Sequence, residues 1–189
     1  MQKDAEREDN DGLVEEKGLG LKQRAELLDR TRWANDFSWP EMESFAAYIR
    51  VHKAACHALI CREGDDGDSL FIIARGSVEI VKGANADKQK VIATIGPGQT
   101  LGEMSLLDGE PRSAPARAAS DILLLTIQQD ELDRMISERP GLAVKFVMKL
   151  ARMVSQRLRK TSSNLADRLQ AGQLLRLAGS YELFEHLLG

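Results

Sequence analysis

The segment from Gly98 to Ala118, GQTLGEMSLLDGEPRSAPARA, places a cation, backbone N–H groups and a carboxylate close together in sequence. Residues 103–107 can form one short helical turn, whose first N–H groups lack partners within the turn and favour an anion. Glu103, at the start of that turn, can accept hydrogen bonds from hydroxyl groups. Arg112 follows Pro111, which stiffens the chain, and carries a planar guanidinium that suits a phosphate.

A ligand with one phosphate beside a ribose hydroxyl needs all three of these groups. Gly102, directly before the turn, allows backbone conformations and close approaches that are denied to other residues. On residue types alone an alternative stays open, in which the segment is a surface hairpin and Glu103 and Arg112 are solvated or paired with each other.

The segment resembles the phosphate-binding cassette of cyclic nucleotide-binding domains, which begins F-G-E-[LIM]-[AS]-L and ends, after a short spacer, in P-R-[SA]-A. Here residues 101–106 read LGEMSL, and residues 111–114 read PRSA. A second signature of the family, E-G-D-x-G-D-x-[LF], lies upstream, where residues 63–78 read EGDDGDSLFIIARGSV. The resemblance covers about residues 38–165, with both motifs in the right order and spacing.

The resemblance implies a role for each matching residue. Arg112 would pair with the exocyclic oxygens of the cyclic phosphate, and Glu103 would accept a hydrogen bond from the ribose 2′-hydroxyl. Gly102 and the N–H groups of Glu103 and of Ser113 or Ala114 would line the sugar-phosphate, and the Ser113 hydroxyl would add a bond to phosphate. The predicted ligand site also includes Ser105 and an apolar wall, which consists of Ile72, Leu101, Met104 and Leu106.

The implied ligand is cAMP, although a hydroxyl directly after the arginine, as in Ser113, is also compatible with cGMP. Members of the family often read the base from the helix that follows the barrel, and the candidates here are Arg157, Leu158, Arg159, Thr161 and Ser162. The sequence departs from the family pattern at three positions: Leu101 replaces a frequent aromatic residue, Pro115 removes an N–H group, and Cys56 stands where glycine is favoured.

Short apolar runs rich in β-branched residues, separated by glycine-containing turns, predict strands at Ala58–Cys61, Leu70–Ile73, Val78–Val81, Val91–Ile95 and Ile122–Ile127. This pattern is typical of a mainly β fold, a double-stranded β-helix or jelly roll. We expect N-terminal helices before it and a long C-terminal helix after it. The predicted organisation is a disordered acidic tail at 1–20, helices at 21–50, the β-roll at 51–128 and C-terminal helices at 129–189.

Local signals place the helices. Apolar spacing predicts a short helix over 21–33, and Ser38 with Glu41 has the form of a capping box, with Pro40 in the first turn. A helix capped by Asp130 is expected to run to Glu138, and Pro140 interrupts it. A long helix is then expected over 142–170, with Gly172 as its C-cap.

Composition narrows the classes of function. The chain has 189 residues, a net charge of -3 and a pI of about 5.7, which argues against binding duplex DNA. We expect a cytoplasmic protein without a membrane anchor, because the start lacks an apolar signal region and no apolar run is long enough to span a bilayer. Cys56 and Cys61 are expected to be free, buried thiols.

No bound metal and no catalytic reaction are expected. Cys56, His57 and Cys61, with His52 nearby, lack the paired spacing of zinc sites, and no triad of Ser, His and Asp can be argued from spacing. A jelly-roll metalloenzyme, which would need clustered histidines, is therefore the least favoured hypothesis.

The long C-terminal helix has apolar residues at alternating steps of four and three, as in a coiled coil. These residues are Val147, Ala151, Val154, Leu158, Thr161 and Leu165. The seam predicts a homodimer through this helix or contact with an unidentified protein partner, and packing of the helix on its own barrel is the alternative. The main competing function is a ligand-free interaction or scaffold protein that keeps the fold, which Leu101 and Pro115 motivate.

Overall fold

The structure, a computed structural model, describes residues 12–83 and 90–188, with side chains as far as residue 167. The chain divides into two compact units, Met1–Phe146 and Val147–Gly189, and all the described strands lie in the first. No helix in the described ranges is both long enough and apolar enough to cross a membrane.

The strands of the described residues form two antiparallel sheets. They are β1 (Val14–Glu15), β2 (Arg50–Ala54), β3 (Leu59–Cys61), β4 (Ser69–Arg75), β5 (Val78–Lys82), β6 (Lys90–Ile95), β7 (Thr100–Leu101), β8 (Ala116–Ala118) and β9 (Ile122–Gln128). One sheet has the order β1-β2-β9-β4-β7, and the other has the order β3-β8-β5-β6. The prediction of a mainly β jelly roll flanked by helices is confirmed.

The apolar residues of both sheets meet in the interior of the roll. Phe71 and Ile73 of β4 belong to this core, together with Val78 of β5 and Leu124 of β9, and all four are at most 2% exposed. Because side chains alternate along a strand, Leu70 and Ile72 are buried on the opposite face of β4. Strand β4 is therefore covered on both faces, which explains why its sequence is a continuous apolar run.

The hairpin of β5 and β6 is closed at its base by backbone hydrogen bonds. Gly98 N donates to Ile73 O at 2.8 Å, and Ile73 N donates to Gln99 O at 3.0 Å. Directly beyond these bonds β7 pairs with β4, with Phe71 opposite Leu101. The first residues of the predicted phosphate segment, 98–101, therefore lie beside β4, directly before Gly102.

Helices precede β2 and follow β9, and one short helix lies between β7 and β8. They are α1 (Leu21–Asp29), a 3₁₀ helix (Arg32–Asp36), α2 (Trp39–Phe45), a second 3₁₀ helix (Ala46–Tyr48), α3 (Glu103–Asp108), α4 (Gln129–Glu138) and α5 (Pro140–Leu188). Glu41 Oε2 accepts hydrogen bonds from the N and Oγ atoms of Ser38 at 2.7 and 2.8 Å, as the predicted cap of α2 requires.

Aromatic packing joins the N-terminal helices to the first turns of α5. The ring of Phe146 lies 5.2 Å from that of Phe45 and 5.5 Å from that of Trp33, measured between centroids. Nearby, Lys145 Nζ donates to both carboxylate oxygens of Glu41 at 2.8 and 2.7 Å. These bonds, with those from Ser38, lower the pKa of Glu41 to about 2.

The structure differs from the sequence predictions at both ends. Residues 1–11 of the predicted disordered tail lie outside the described residues, but Val14 and Glu15 pair with Lys53 and His52 as a short strand. At the other end α5 does not stop before Gly172 and continues to Leu188. A glycine in a helix interior costs only about 1 kcal/mol, so it does not oblige a helix to end.

Candidate functional site

The guanidinium of Arg112 is the centre of the candidate site. Arg112 is only 6% exposed, and its Nη2 donates to the backbone oxygen and the Oγ of Ser69 at 2.7 and 2.8 Å. Its Cζ lies 5.5 Å from the centroid of the Phe71 ring, which attracts the positive charge. The Nε and Nη1 atoms are buried and have no hydrogen-bond partner among the described residues. The guanidinium thus retains unsatisfied donors inside the protein.

The backbone of Arg112 is held by the second motif. Arg112 N donates to Asp65 O, and Gly64 N donates to Arg112 O, both at 2.9 Å. The loop that makes these bonds is itself closed by Asp65, whose Oδ2 accepts a hydrogen bond from Arg62 N at 2.6 Å. The two motifs recognised in the sequence are therefore two parts of one structure, in which the upstream motif fixes the arginine of the downstream one.

Gly102 lies against the guanidinium. Its φ angle is +81°, in the left-handed region, and a Cβ atom there would overlap Arg112 Nη1 and lie 2.6 Å from Ser69 O. Both the backbone conformation and the available space thus require glycine at this position. Glu103 follows directly as the first residue of α3 and is 3% exposed, so a buried carboxyl group adjoins the segment that contacts Arg112.

The positive charge of Arg112 acts on a neighbouring thiol. Cys61 is 5% exposed in the core of the roll, and its Sγ lies 3.9 Å from Ala114 O. Burial raises the pKa of the Cys61 thiol, and the charge of Arg112 opposes that rise. The Cys61 thiol is therefore held in its neutral form beside the Arg112 segment.

The structure brings together only part of the predicted site. Gly102 lies against the guanidinium, Glu103 follows it in sequence and is buried, and Leu101 precedes it and is buried in the roll core. Ser105 and Leu106 are buried in α3, whereas Met104 is 57% exposed.

The remaining predicted residues, Ser113, Ala114 and Ile72, differ in their exposure and in the part of the fold where they lie. Ser113 is exposed and Ala114 is half-buried, directly after Arg112. Ile72 does not join the group, because it is buried on the face of β4 opposite to Phe71.

Sequence reasoning missed two residues that contact the arginine, Ser69 and Phe71. Both lie in the upstream motif, from which only Ile72 was assigned to the ligand site. A signal for Phe71 was available: with the site on one face of β4, period-two alternation selects Phe71 or Ile72 but not both. No such signal marks Ser69, because a serine that contacts a distant arginine has no characteristic spacing.

Within the residues that the structure describes, no three side chains of His, Cys, Asp or Glu gather in a group that could hold a metal ion. Cys61 is buried, as expected for a free thiol, whereas Cys56 is free and exposed.

Comparison with known proteins gives a consistent result. A family model described as a cyclic nucleotide-binding domain matches residues 51–139. The CRP-like cAMP-activated global transcriptional regulator of Mycobacterium tuberculosis is 33% identical over 123 residues, which cover 61% of this chain and 53% of the regulator. A cyclic nucleotide-gated potassium channel of Mesorhizobium japonicum is 34% identical over 98 residues, which cover 52% of this chain and 26% of the channel.

A solved structure of a cyclic nucleotide-binding domain is also similar to this chain. A cyclic nucleotide-binding domain from Methylobacillus flagellatus is 28% identical with a TM-score of 0.66, over 79% of this chain and 85% of that structure. The chain spans about half the length of the mycobacterial regulator, 53%. The resemblance inferred from the two motifs is confirmed. Residues 51–139 of the chain therefore belong to the cyclic nucleotide-binding domain family.

Proposed function

We propose that this chain binds a 3′,5′-cyclic purine nucleotide, cAMP, and relays the binding through its C-terminal helices without catalysing a reaction. One observation carries the proposal: Arg112 is 6% exposed, yet its Nε and Nη1 have no hydrogen-bond partner among the described residues. A buried cation in this condition is stabilised by an anion that completes its hydrogen bonds.

The energetics favour an anionic ligand. The hydrogen bonds from Arg112 to Ser69 end on uncharged oxygens, so they satisfy donors without neutralising the charge. A phosphate oxygen at Nε or Nη1 accepts a hydrogen bond from that nitrogen and also neutralises the charge. Each charge-assisted hydrogen bond contributes about 1.5–3 kcal/mol. Binding therefore removes a penalty that the ligand-free fold retains.

The neighbouring carboxyl group selects among phosphates. Glu103 begins α3 directly after Gly102, which contacts Arg112, so an acceptor and a cation flank the same short segment. A cyclic phosphodiester carries one negative charge and leaves the 2′-hydroxyl free to donate to Glu103. A phosphomonoester carries a charge closer to two at neutral pH, which a nearby carboxylate disfavours. The arrangement therefore supports cAMP in preference to AMP.

Names of relatives support the same ligand. The mycobacterial regulator, 33% identical, is named for activation by cAMP. The exposed Ser113 leaves cGMP as the competing ligand. The five base-reading candidates at 157–162 lie in the second unit and stay predictions.

Titration calorimetry with cAMP, cGMP and AMP tests the proposal. We expect the wild-type protein to bind cAMP, and Arg112→Lys to bind it at least about 100-fold more weakly, because one ammonium cannot reproduce the donors of a guanidinium. Arg75→Ala, which removes an exposed arginine from β4, is the matched control and should bind as the wild type does. Absence of heat and of a thermal shift with every nucleotide, from folded protein, would reject cAMP binding and favour the ligand-free scaffold.

Dimerisation through α5 stays a prediction. Leu158 and Leu165, at two positions of the predicted seam, are 65% and 58% exposed in the single chain. A homodimer would cover them, and Leu158→Glu should then convert the dimer to a monomer in light scattering. A monomeric wild type would leave an unidentified protein partner as the remaining candidate for this surface.

A further inference from the structure

Ser69 is the residue through which the buried guanidinium of Arg112 is attached to the rest of the fold. Its backbone oxygen and its Oγ both accept from Nη2, at 2.7 and 2.8 Å. One nitrogen of the guanidinium is thus committed to Ser69, while Nε and Nη1 are left for another acceptor. The direction in which Arg112 presents its remaining donors depends on this pair of bonds.

Ser69 is itself well fixed, as a group that orients another must be. It is 7% exposed and begins β4, where it pairs with Gln128 at the end of β9. The preceding residue is anchored as well, because Asp68 O accepts a hydrogen bond from Gln129 N, the first residue of α4, at 2.8 Å. The hydroxyl therefore has a defined position before any ligand arrives.

The backbone oxygen of Ser69 alone does not define the guanidinium. A single acceptor leaves the group free to pivot about one N–H···O bond, whereas two acceptors on one nitrogen fix its orientation. Gly102 lies close to the guanidinium on one side, since a Cβ atom added there would be 3.0 Å from Arg112 Cζ, but it makes no hydrogen bond that would orient the group. The Ser69 hydroxyl supplies the second acceptor.

We infer that the hydroxyl of Ser69 is a positioning group for the ligand site: it holds the Arg112 guanidinium so that Nε and Nη1 face the incoming anion. This inference rests on the proposed function for the identity of the anion. Without the hydroxyl, the ordering of the guanidinium has to occur when the ligand binds, and the affinity falls because immobilising a side chain opposes association.

The test compares Ser69→Ala, Ser69→Thr and a control in a calorimetric titration with cAMP. Ser69→Ala should weaken binding about tenfold, the effect of losing about one hydrogen bond to a charged group. Ser69→Thr keeps the hydroxyl and should restore the affinity. Ser120→Ala removes the hydroxyl that accepts from Ser77 N elsewhere in the roll, and it should bind as the wild type does.

A second measurement needs no nucleotide. In ¹⁵N-labelled protein, the Nη protons of Arg112 should give resolved signals in the wild type, because the bonds to Ser69 hinder rotation about the Nε–Cζ bond. Ser69→Ala should merge or broaden these signals, and Ser69→Thr should restore them. A Ser69→Ala protein with unchanged signals and unchanged affinity would overturn the inference. Unresolved wild-type signals would overturn it too, whereas absence of cAMP binding with the expected signals would reject only the proposed ligand.

Discussion

Replacing Gly102 by alanine tests the geometry of the candidate site most directly. A Cβ atom at this position would overlap Arg112 Nη1 and would lie 3.0 Å from its Cζ and 2.6 Å from Ser69 O. Atoms in ordinary contact are about 3.5–4.0 Å apart, and Nη1 would be closer to the Cβ than Cζ is, so the guanidinium would have to retreat by more than about 1 Å. Its hydrogen bonds to a ligand phosphate would then be lost or badly aligned.

The magnitude follows from the number of bonds affected. Two charge-assisted hydrogen bonds of about 1.5–3 kcal/mol each give a loss of about 3 kcal/mol or more. Since about 1.4 kcal/mol corresponds to a factor of ten, Gly102→Ala should bind cAMP at least about 100-fold more weakly than the wild type. Titration calorimetry measures this loss.

Gly109 provides a matched control for backbone strain. Its φ angle is +74°, close to the +81° of Gly102, but a Cβ atom at Gly109 would have nothing within 4 Å. Alanine at either position costs about 1–2 kcal/mol of stability in the left-handed region. Gly109→Ala should thus lower the melting temperature yet bind cAMP within about twofold of the wild type. Equal affinities of the Gly102→Ala and Gly109→Ala proteins would refute the placement of the guanidinium against Gly102.

Three further predictions concern other parts of the fold. Lys145 and, to a smaller extent, Ser38 lower the pKa of Glu41 to about 2 from 4.5, so the Lys145–Glu41 ion pair stabilises the fold above pH 4.5 and this contribution is lost as the pH falls toward 2. Lys145→Met should therefore destabilise the protein more at pH 6 than at pH 3 in urea unfolding; a pH-independent difference would contradict this. Phe45→Ala should cost about 3–5 kcal/mol in the aromatic cluster, measured by urea unfolding, and a cost below about 1 kcal/mol would mean that the cluster does not form. A thiol reagent should modify the exposed Cys56 quickly and Cys61 slowly, because Cys61 is buried and its pKa is raised; equal rates in the Cys56→Ser and Cys61→Ser proteins would exclude that burial.

The sequence alone was sufficient to predict the strands and the helix cap that have strong local patterns. The five predicted strands occur within two residues of their expected ends, and the Ser38–Glu41 pair caps α2 as proposed. Strands β1, β2, β7 and β8 were not predicted, and for β1, β7 and β8 the reason is that two or three residues, such as Thr100–Leu101, carry no recognisable period. Their pairing is decided by contacts with distant strands, which a local pattern does not encode.

The residue types of the candidate site could be predicted from the sequence, but their arrangement in space could not. Gly102, Glu103 and Arg112 were identified from one motif, and the structure places Gly102 against the arginine. The partner that holds the guanidinium, Ser69, precedes Arg112 by 43 residues, and only the folded sheet brings the two together. Ile72 was misplaced for a simpler reason: the motif was matched by residue type, and the alternation of faces along β4 was not applied.

The closed base of the β5–β6 hairpin means that the chain leaves β4 and comes back to the same residue of β4. The chain leaves at Ile73 and returns at Gly98 and Gln99, which are bonded to it at 2.8 and 3.0 Å. Within this hairpin β5 also pairs with β8, and Val78 belongs to the core of the roll, so the hairpin supports the strand that follows Arg112. A fluorescent reporter inserted after Lys82, the last residue of β5, should leave the hydrogen bonds at the base of the hairpin intact, and an unchanged melting temperature would show this.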